Sequence, residues 1–344
     1  MKVLVLTSIY PTKENPTLGT FVRTQVEYLK RAGIEVEVFL LRGPSQKVAY
    51  FKAPFVLRKR LADSSFDLVH AHYSYPGLIA RTQRKVPVVV SYCGDDLLGT
   101  IDERGRKTSF SRIAVQAGRW LANVVDGVIV KSKEMAGQLT RPDVHIIPHE
   151  VDLDLFRPVP RDRARALLGL QARKKYVLFA ANPQIPVKRF SLAKLAADEL
   201  TAQDSSIELL TVYKEPQERL ALFMNACDVL VFTSYQEGSP NIVKQAMACN
   251  LPIVSTDVGD VRDLISGADG CFICEPDAHE FATRLADALR QGRRTEGRER
   301  VRHLSGPAVA EKIIAVYHRV LNDRDNRLAQ RIKTKPYPAQ NQIR

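Results

Sequence analysis

Short apolar runs that alternate with helix-patterned segments limit the fold of this chain more than any other feature. Residues 2–6 form one such run, residues 20–32 have apolar side chains at helical spacing, and residues 35–41 form the next run. A strand, a helix and a strand within this length predict a βαβ unit, in which the two strands are parallel. Runs that are apolar throughout are typical of strands buried on both faces of a sheet.

The alternation extends over both halves of the chain. Further strands of the first half are predicted at residues 66–71, 87–91, 127–131 and 144–148. Strands of the second half are predicted at residues 176–180, 207–212, 228–233 and 251–255. Helices of the second half are predicted at residues 191–200, 217–226, 241–248, 279–291 and 307–321. This pattern predicts an α/β protein with two Rossmann-like, doubly wound sheets in series.

The length of 344 residues also predicts two domains, at roughly 100–200 residues each. Residues 149–160 are rich in Pro and Asp and lack helical spacing, which is typical of a link. We place the first domain at residues 1–155, the second at 156–306, a final helix at 307–321 that returns to the first domain, and a loosely ordered polar tail at 322–344. Ligands of doubly wound sheets bind beyond the carboxyl ends of the strands, so we expect the site in the cleft between the domains.

The chain has a net charge of +13, which nucleic acid, an anionic membrane or phosphorylated small molecules would each explain as partners. The basic residues are scattered, with denser groups at 58–60, 104–107 and 293–302. The sequence has neither zinc-finger spacing nor an arginine-rich tract, so we expect no nucleic-acid partner. A solvated basic surface and a peripheral contact with an anionic inner leaflet are both consistent with the charge.

The first residues and the five cysteines bear on location. Residues 1–7 indicate a first strand and not a signal peptide, and no apolar stretch reaches the ~18 residues of a membrane span. We therefore expect a cytoplasmic protein, in solution or at the inner face of the membrane. Cys271 and Cys274 form a lone C-x-x-C with no second pair, so we interpret them as strand cysteines and expect no metal site.

The segment after the 228–233 strand carries the strongest functional signal. A loop with Glu237 and Gly238 leads into a helix that begins near Ser239, Pro240 or Asn241. Pro is favourable in a first helical turn, and the free amides at a helix start, with the helix dipole, form an anion site suited to a diphosphate. On these residues alone, an ordinary capped helix explains the pattern equally well.

Residues 237–248 resemble the E-x7-E signature of the family 4 retaining glycosyltransferases, and residues 256–260 follow at the usual distance. The similarity extends to the interdomain segment 147–156, to residues 186–190 and to residues 67–72. It covers the chain to about Leu321 and is closest to the branch that builds bacterial cell-surface polysaccharides, such as the teichuronic acid biosynthesis enzymes. The resemblance implies the GT-B fold, in which two Rossmann-like domains face each other across a cleft.

The resemblance also implies the reaction. Such enzymes transfer a sugar from a nucleotide-diphosphate sugar, UDP- or GDP-linked, to a saccharide or lipid-linked acceptor. The anomeric configuration is retained, and neither a metal nor another cofactor is required. No residue of the chain is an obvious nucleophile, which agrees with a front-face substitution in which the leaving phosphate helps to take the acceptor's proton.

Roles are carried over position by position. Lys188, with Arg189 beside it, matches the basic residues that neutralise the diphosphate leaving group. Glu237 matches the glutamate that contacts hydroxyls of the donor sugar, and His72 matches a histidine beside the reacting sugar. These implied catalytic residues are Lys188, Glu237 and His72. The remaining implied donor contacts are Gly19, Gly238, Ser239, Pro240, Asn241, Ile242 and Gln245, and the acceptor-side candidates are Asp95 and Asp96.

The chain departs from the family pattern at several of these positions. Gln245 stands where the second glutamate, a ribose ligand, is usual, so a charge-assisted hydrogen bond is lost. Glu150 replaces a glycine, Cys93 a histidine, and the family's arginine falls near Asn182. Two alternatives stay open: a sugar-nucleotide 2-epimerase of the same fold, and, because of these departures, a non-catalytic relative that binds nucleotide sugar or a partner protein.

Overall fold

The computed structural model describes residues 1–42, 46–102 and 104–333. The strands over these residues are β1 (Lys2–Thr7), β2 (Glu35–Leu40), β3 (Leu68–His72), β4 (Val88–Ser91), β5 (Gly127–Val130), β6 (Val144–Ile146), β7 (Lys175–Phe179), β8 (Ile207–Thr211), β9 (Val229–Phe232), β10 (Ile253–Thr256) and β11 (Phe272–Cys274). Each of the ten predicted strands is present, with ends that differ by at most two residues.

The helices of the first half are α1 (Thr20–Arg31), α2 (Gln46–Asp63), α3 (Ser74–Ala80), α4 (Asp95–Leu98), α5 (Ser109–Val124) and α6 (Lys133–Ala136). Those of the second half are α7 (Arg161–Leu168), α8 (Phe190–Gln203), α9 (Gln217–Ala226), α10 (Asn241–Ala248), α11 (Val261–Ile265), α12 (Ala278–Gln291), α13 (Gly297–Val301) and α14 (Gly306–Lys333). No described helix is both long enough and apolar enough to span a bilayer.

Two separate parallel sheets confirm the predicted fold class. The first has the strand order β2-β1-β3-β4-β5-β6, and the second has the order β11-β10-β9-β7-β8. All of their strand pairs are parallel. The order reverses between β1 and β3 in one sheet and between β7 and β9 in the other. These are the switch points at which doubly wound sheets open a crevice for ligands.

Helices cover both faces of each sheet, which explains why the strands are apolar throughout. In β1, Val3 and Val5 pack with residues of α1 and α14, whereas Leu4 and Leu6 pack with residues of α2, α3 and α5. All four side chains are completely buried. Successive side chains of a strand point to opposite faces, so both faces of this sheet contribute to a core.

The final helix differs from its predicted extent. Val309, Ile313 and Val316 of α14 pack into the first domain's core, and the Tyr317 hydroxyl lies 2.6 Å from Nδ1 of His70. The helix runs to Lys333, so the prediction of a loosely ordered tail from residue 322 is wrong for residues 322–333. That stretch lacks Gly and Pro but has no apolar stripe, so periodicity gave no signal for it. Residues 334–344 lie outside the described residues.

Candidate active site

The two sets of strand ends meet at a pair of glycines. A Cβ atom on Gly238 would lie 2.9 Å from both the Cys93 carbonyl oxygen and Met135 Sδ of the other domain. Real side chains do not tolerate such distances, so only glycine fits at this position. Gly94 lies opposite, where a Cβ atom would come 3.7 Å from the Gly238 nitrogen. The Gln236 amide donates to the Gly99 carbonyl, which gives the loop after β9 a direct hydrogen bond to the first domain.

Three cavities follow the strand ends, and Tyr73 lines all of them. The central cavity, of about 310 Å³, lies between the two domains and is lined by Lys188, Glu237 and residues 239–242. An interdomain cavity of about 330 Å³ adjoins it at Cys93 and Glu237. A first-domain cavity of about 350 Å³ opens beside Asp95 and Asp96. The predicted cleft is therefore present, and its lining includes residues of the loops that follow β3, β4, β7 and β9.

Lys188 and Glu237 form an ion pair at the edge of the central cavity. Lys188 ends a short 3-10 turn, Pro186–Lys188, in the loop after β7, and its Nζ lies 2.6 Å from Glu237 Oε1. Thr233, at the end of β9, donates its hydroxyl to the Lys188 carbonyl at 3.0 Å. Because this bond fixes the turn to the neighbouring strand, the lysine is held at the sheet's switch point with its charge directed toward the cavity.

The start of α10 forms another wall of the same cavity. Pro240 occupies the N-cap position, and Asn241 is the first helical residue. The Ser239 hydroxyl donates to Asp260 Oδ2 at 2.7 Å and receives a hydrogen bond from Lys244 Nζ at 3.0 Å. Its side chain is therefore fully engaged, and the groups that α10 offers to a ligand are its first backbone amides and the positive end of its dipole.

Three of the predicted donor contacts, Gly19, Arg189 and Gln245, line none of the three cavities. The Arg189 guanidinium donates to the Pro276 carbonyl at 3.4 Å and stacks 4.3 Å from the Tyr235 ring centroid, which is outside the residues that line the central cavity. Gln245 donates its amide to Gln217 Oε1 at 3.0 Å. Gly19 caps α1 with a φ of 72°, and a Cβ there would lie 2.7 Å from the Ile9 carbonyl carbon.

His72 lies beneath the cleft and not on its surface. Its side chain is completely buried and stacks on His70 at 4.5 Å between ring centroids. Nε2 lies 2.7 Å from Gln25 Oε1, and Nδ1 has no hydrogen-bond partner. Burial holds the pKa of the ring well below its ordinary value, so the ring is neutral. A direct contact of His72 with a sugar stays a prediction, because the residue that reaches the cavity is the next one, Tyr73.

Asp95 and Asp96 have different surroundings although they are adjacent. Asp96 is buried, and its carboxylate accepts backbone N–H groups of Ser74, Cys93 and Gly94. The three hydrogen bonds lower the pKa of Asp96, but burial has the larger effect and raises it to about 7. Asp95 lines both neighbouring cavities and therefore stays the better candidate for contact with a hydroxyl-bearing ligand.

Tyr73 and His149 line the central cavity, and neither was among the predicted site residues. Tyr73 has a φ of 73°, a strained value for a non-glycine residue, and such strain clusters at functional sites. Its position directly after β3 is the signal that could have identified it. His149 is buried in the interdomain link, 4.4 Å from the Phe21 ring centroid. Nothing in the link's composition marked it as part of a cavity wall.

Glu150, at the position where the resemblance implies a glycine, is buried beside two buried lysines. Lys131 and Lys244 are both completely buried, and burial lowers the pKa of Lys244 to about 8. Burial also lowers the pKa of Lys131, and Glu150 raises the pKa of both lysines against this effect. Burial raises the pKa of Glu150 itself. Lys244 also donates to the His149 carbonyl at 2.8 Å, so α10 is tied to the interdomain link through this lysine.

Comparisons with known proteins agree with this geometry. The family "Glycosyl transferase 4-like domain" matches residues 23–151, and "Glycosyl transferases group 1" matches residues 175–291. The putative teichuronic acid biosynthesis glycosyltransferase TuaC of Bacillus subtilis (strain 168) is 23% identical, over 84% of this chain and 88% of that protein. D-inositol 3-phosphate glycosyltransferase of Arthrobacter sp. (strain FB24) is 25% identical, over 79% of this chain and 80% of that protein.

Solved structures share the two-domain architecture. Sucrose-phosphate synthase from Thermosynechococcus elongatus superposes with a TM-score of 0.78 at 20% identity, over 94% of this chain and all of that chain. Anabaena HepE, in complex with UDP-glucose, gives a TM-score of 0.62 at 17% identity, over 95% of this chain and all of that chain. Two doubly wound sheets that face each other across a cleft define the GT-B class of fold. With both family matches in place, the chain belongs to the group 1, family-4-like glycosyltransferases.

Proposed function

We propose that the protein transfers a sugar from a nucleotide-diphosphate sugar to a saccharide or lipid-linked acceptor with retention of anomeric configuration. We further propose that it acts in cell-surface polysaccharide biosynthesis. The similarity to TuaC supports the second statement, and the UDP-glucose complex of HepE supports a nucleotide-sugar donor. A UDP- or GDP-linked donor is the expected co-substrate, with no metal or other cofactor.

The observation that carries this proposal is the Lys188–Glu237 pair, which lies beside the start of α10 in the central cavity. A lysine ammonium and free helix amides suit the two phosphates of a donor. A carboxylate suits the hydroxyls of its sugar, because charged acceptors make the stronger hydrogen bonds. The ion pair orients both side chains before the donor binds. When the donor binds, its diphosphate replaces Glu237 as the partner of the Lys188 ammonium.

The reaction breaks the bond between the anomeric carbon and the diphosphate and forms a bond from that carbon to an acceptor hydroxyl oxygen. The departing diphosphate gains negative charge, which Lys188 and the start of α10 stabilise. The hydroxyl's proton passes to the phosphate on the same face, so retention needs no protein nucleophile. Asp95, which lines the interdomain cavity together with Glu237, is the residue proposed to orient the acceptor.

Product analysis with defined donors tests the proposal. The protein is incubated with UDP- and GDP-sugars and a mixture of acceptor saccharides, and the new linkage is assigned by proton NMR. An α-linked product from an α-linked donor is the expected result. An inverted product would refute retention. An epimerised nucleotide sugar formed in the absence of acceptor would instead establish the 2-epimerase alternative, and binding without any turnover would establish the non-catalytic one.

A further inference from the structure

An apolar surface on the first domain is left uncovered by the fold. On α2, the Phe51 and Phe55 side chains are 78% and 65% exposed, and on α5 those of Phe110 and Ile113 are 69% and 71% exposed. Large side chains exposed to this degree in a group mark interaction sites, whereas single ones need no explanation. We call this group the outer apolar surface; it comprises Phe51, Phe55, Tyr75, Phe110, Ile113 and Trp120.

The surface is distinct from the faces that hold α2 and α5 in the domain. Leu57 and Leu61 of α2 and Leu121 of α5 are buried in the core. Phe51 and Phe55 are four residues apart, so they share one side of α2. Phe110, Ile113 and Trp120 follow one another at spacings of three and seven residues, which keeps them on one side of α5. Helix α2 therefore has a second apolar side that points away from its own core, and the apolar side of α5 extends beyond the part that is buried in the core.

Both helices border the mouth of the first-domain cavity. Tyr50 of α2 and Ala114 of α5 line that cavity together with Tyr75, and the Tyr50 and Tyr75 rings lie 5.5 Å apart. The cavity continues inward to Asp95, which also lines the interdomain cavity beside Glu237. A molecule that enters between α2 and α5 thus reaches the proposed acceptor side of the active site without crossing the donor side.

The charge around this mouth selects an anionic partner. Asp63, the last residue of α2, is the one acidic residue of the two helices. Lys52 and Lys59 on α2 and Arg112 on α5 are exposed. The loop before α5 adds the exposed Arg104 and Lys107, and its Arg106 is paired with Asp102. Exposed aromatic side chains surrounded by Lys and Arg are typical of helices that lie in the interface of an anionic bilayer.

We propose that the outer sides of α2 and α5 insert into the surface of an anionic lipid bilayer and that the first-domain cavity receives its acceptor from that bilayer. The acceptor of the glycosyl transfer is then lipid-linked, a statement that rests on the function proposed above. Membrane insertion itself does not rest on that function. The Phe and Ile side chains enter the acyl boundary, and the basic side chains stay among the lipid head groups.

The single tryptophan of the chain gives this proposal a built-in reporter. Trp120 is 58% exposed on the proposed inserting side. We expect vesicles that contain phosphatidylglycerol to shift its emission maximum to shorter wavelength, and vesicles of phosphatidylcholine alone to have a smaller effect. An emission maximum that anionic vesicles leave unchanged would overturn the proposal.

Co-sedimentation with the same vesicles tests the residues. The double variant Phe110→Ser/Ile113→Ser is expected to partition into anionic vesicles at least about tenfold less than the wild type. Leu167→Ser/Leu195→Ser is the matched control, because these leucines are 61% and 60% exposed but lie in the second domain. The control is expected to bind as the wild type does. Equal partitioning of both double variants would contradict the assigned surface.

Donor binding separates this proposal from the proposed function. The rise in melting temperature caused by a nucleotide sugar is measured for the wild type and for Phe110→Ser/Ile113→Ser. Unchanged donor binding with lost vesicle binding supports the assigned surface. If the protein binds anionic vesicles but no nucleotide sugar, the result supports the membrane surface and overturns the proposed glycosyl transfer. Transfer to a water-soluble saccharide in preference to a lipid-linked one would overturn the assignment of the acceptor.

Discussion

Replacing Lys188 by methionine removes one charge from the central cavity and leaves the length of the side chain almost unchanged. Its Nζ lies 2.6 Å from Glu237 Oε1, and the two side chains are 27% and 17% exposed. If the ammonium stabilises the departing diphosphate, its loss acts on the transition state. Removal of one such preorganised group costs about 2.7–4 kcal/mol, which is roughly 10²–10³ in rate. We therefore expect kcat/KM to fall by about 10²–10³.

The same substitution is expected to have little effect on folding. Ion pairs that water reaches contribute about 0–1 kcal/mol, so the melting temperature is expected to fall by at most about 2–4 °C. Lys194→Met is the control, because Lys194 forms an ion pair of the same length, 2.6 Å, with Asp198 outside the cleft. Steady-state kinetics and thermal melts of the two variants give both numbers. If Lys188→Met and Lys194→Met lowered kcat/KM equally, the proposed role of Lys188 would be refuted.

Three further predictions concern the interdomain contact, a titration and a departure from the family. Gly238→Ala brings a Cβ atom to 2.9 Å from atoms of the facing domain, so the rate of sugar transfer should fall at least about tenfold. Gly137→Ala is the control: its Cβ atom would lie 3.5 Å or more from its neighbours, and the transfer rate should stay unchanged. Because the pKa of Asp96 is raised to about 7, its contribution to stability is complete below about pH 4 and disappears as the pH rises through 7. The free energy of unfolding of the wild type, measured by denaturant melts, should therefore fall relative to that of Asp96→Asn between pH 5 and pH 8. A difference between the two proteins that is the same at both pH values would contradict the titration. Gln245 lines none of the three cavities and its amide donates to Gln217 Oε1, so Gln245→Glu should leave nucleotide binding in calorimetry unchanged; binding up to about tenfold tighter would instead establish the ribose contact that the family resemblance implies.

The fold could be predicted because its strands are buried on both faces. Runs such as those around Val3 and Val177 must be apolar throughout, so they are visible in the sequence without any periodicity analysis. Helix α2 escaped prediction for the opposite reason. It has apolar side chains on two sides, as Leu57 and Phe55 illustrate, and this removes the single stripe on which helix prediction depends.

The site could be predicted in part. The family resemblance implied Glu237 and Lys188, and both lie in loops after strands, where ligands of doubly wound sheets bind. Both residues line one cavity in the structure. The sequence could not show that His72 is covered while Tyr73 is exposed to the cavity, because a strand's alternation does not tell how the next loop turns. It also could not show that Arg189 stacks on Tyr235, since that contact depends on the left-handed backbone at Arg189, where φ is 50°.

The central claim is that the cleft binds a nucleotide-diphosphate sugar through Lys188 and the start of α10. Thermal melts with a panel of UDP-, GDP- and other nucleotide sugars test it most directly. A donor at 100 times its dissociation constant adds about 2.7 kcal/mol of stability, which corresponds to a rise of about 5–10 °C. The account predicts such a rise for at least one donor with the wild-type protein and a much smaller rise at the same concentration with Lys188→Met. No rise with any nucleotide sugar, or an equal rise in both proteins, would contradict it.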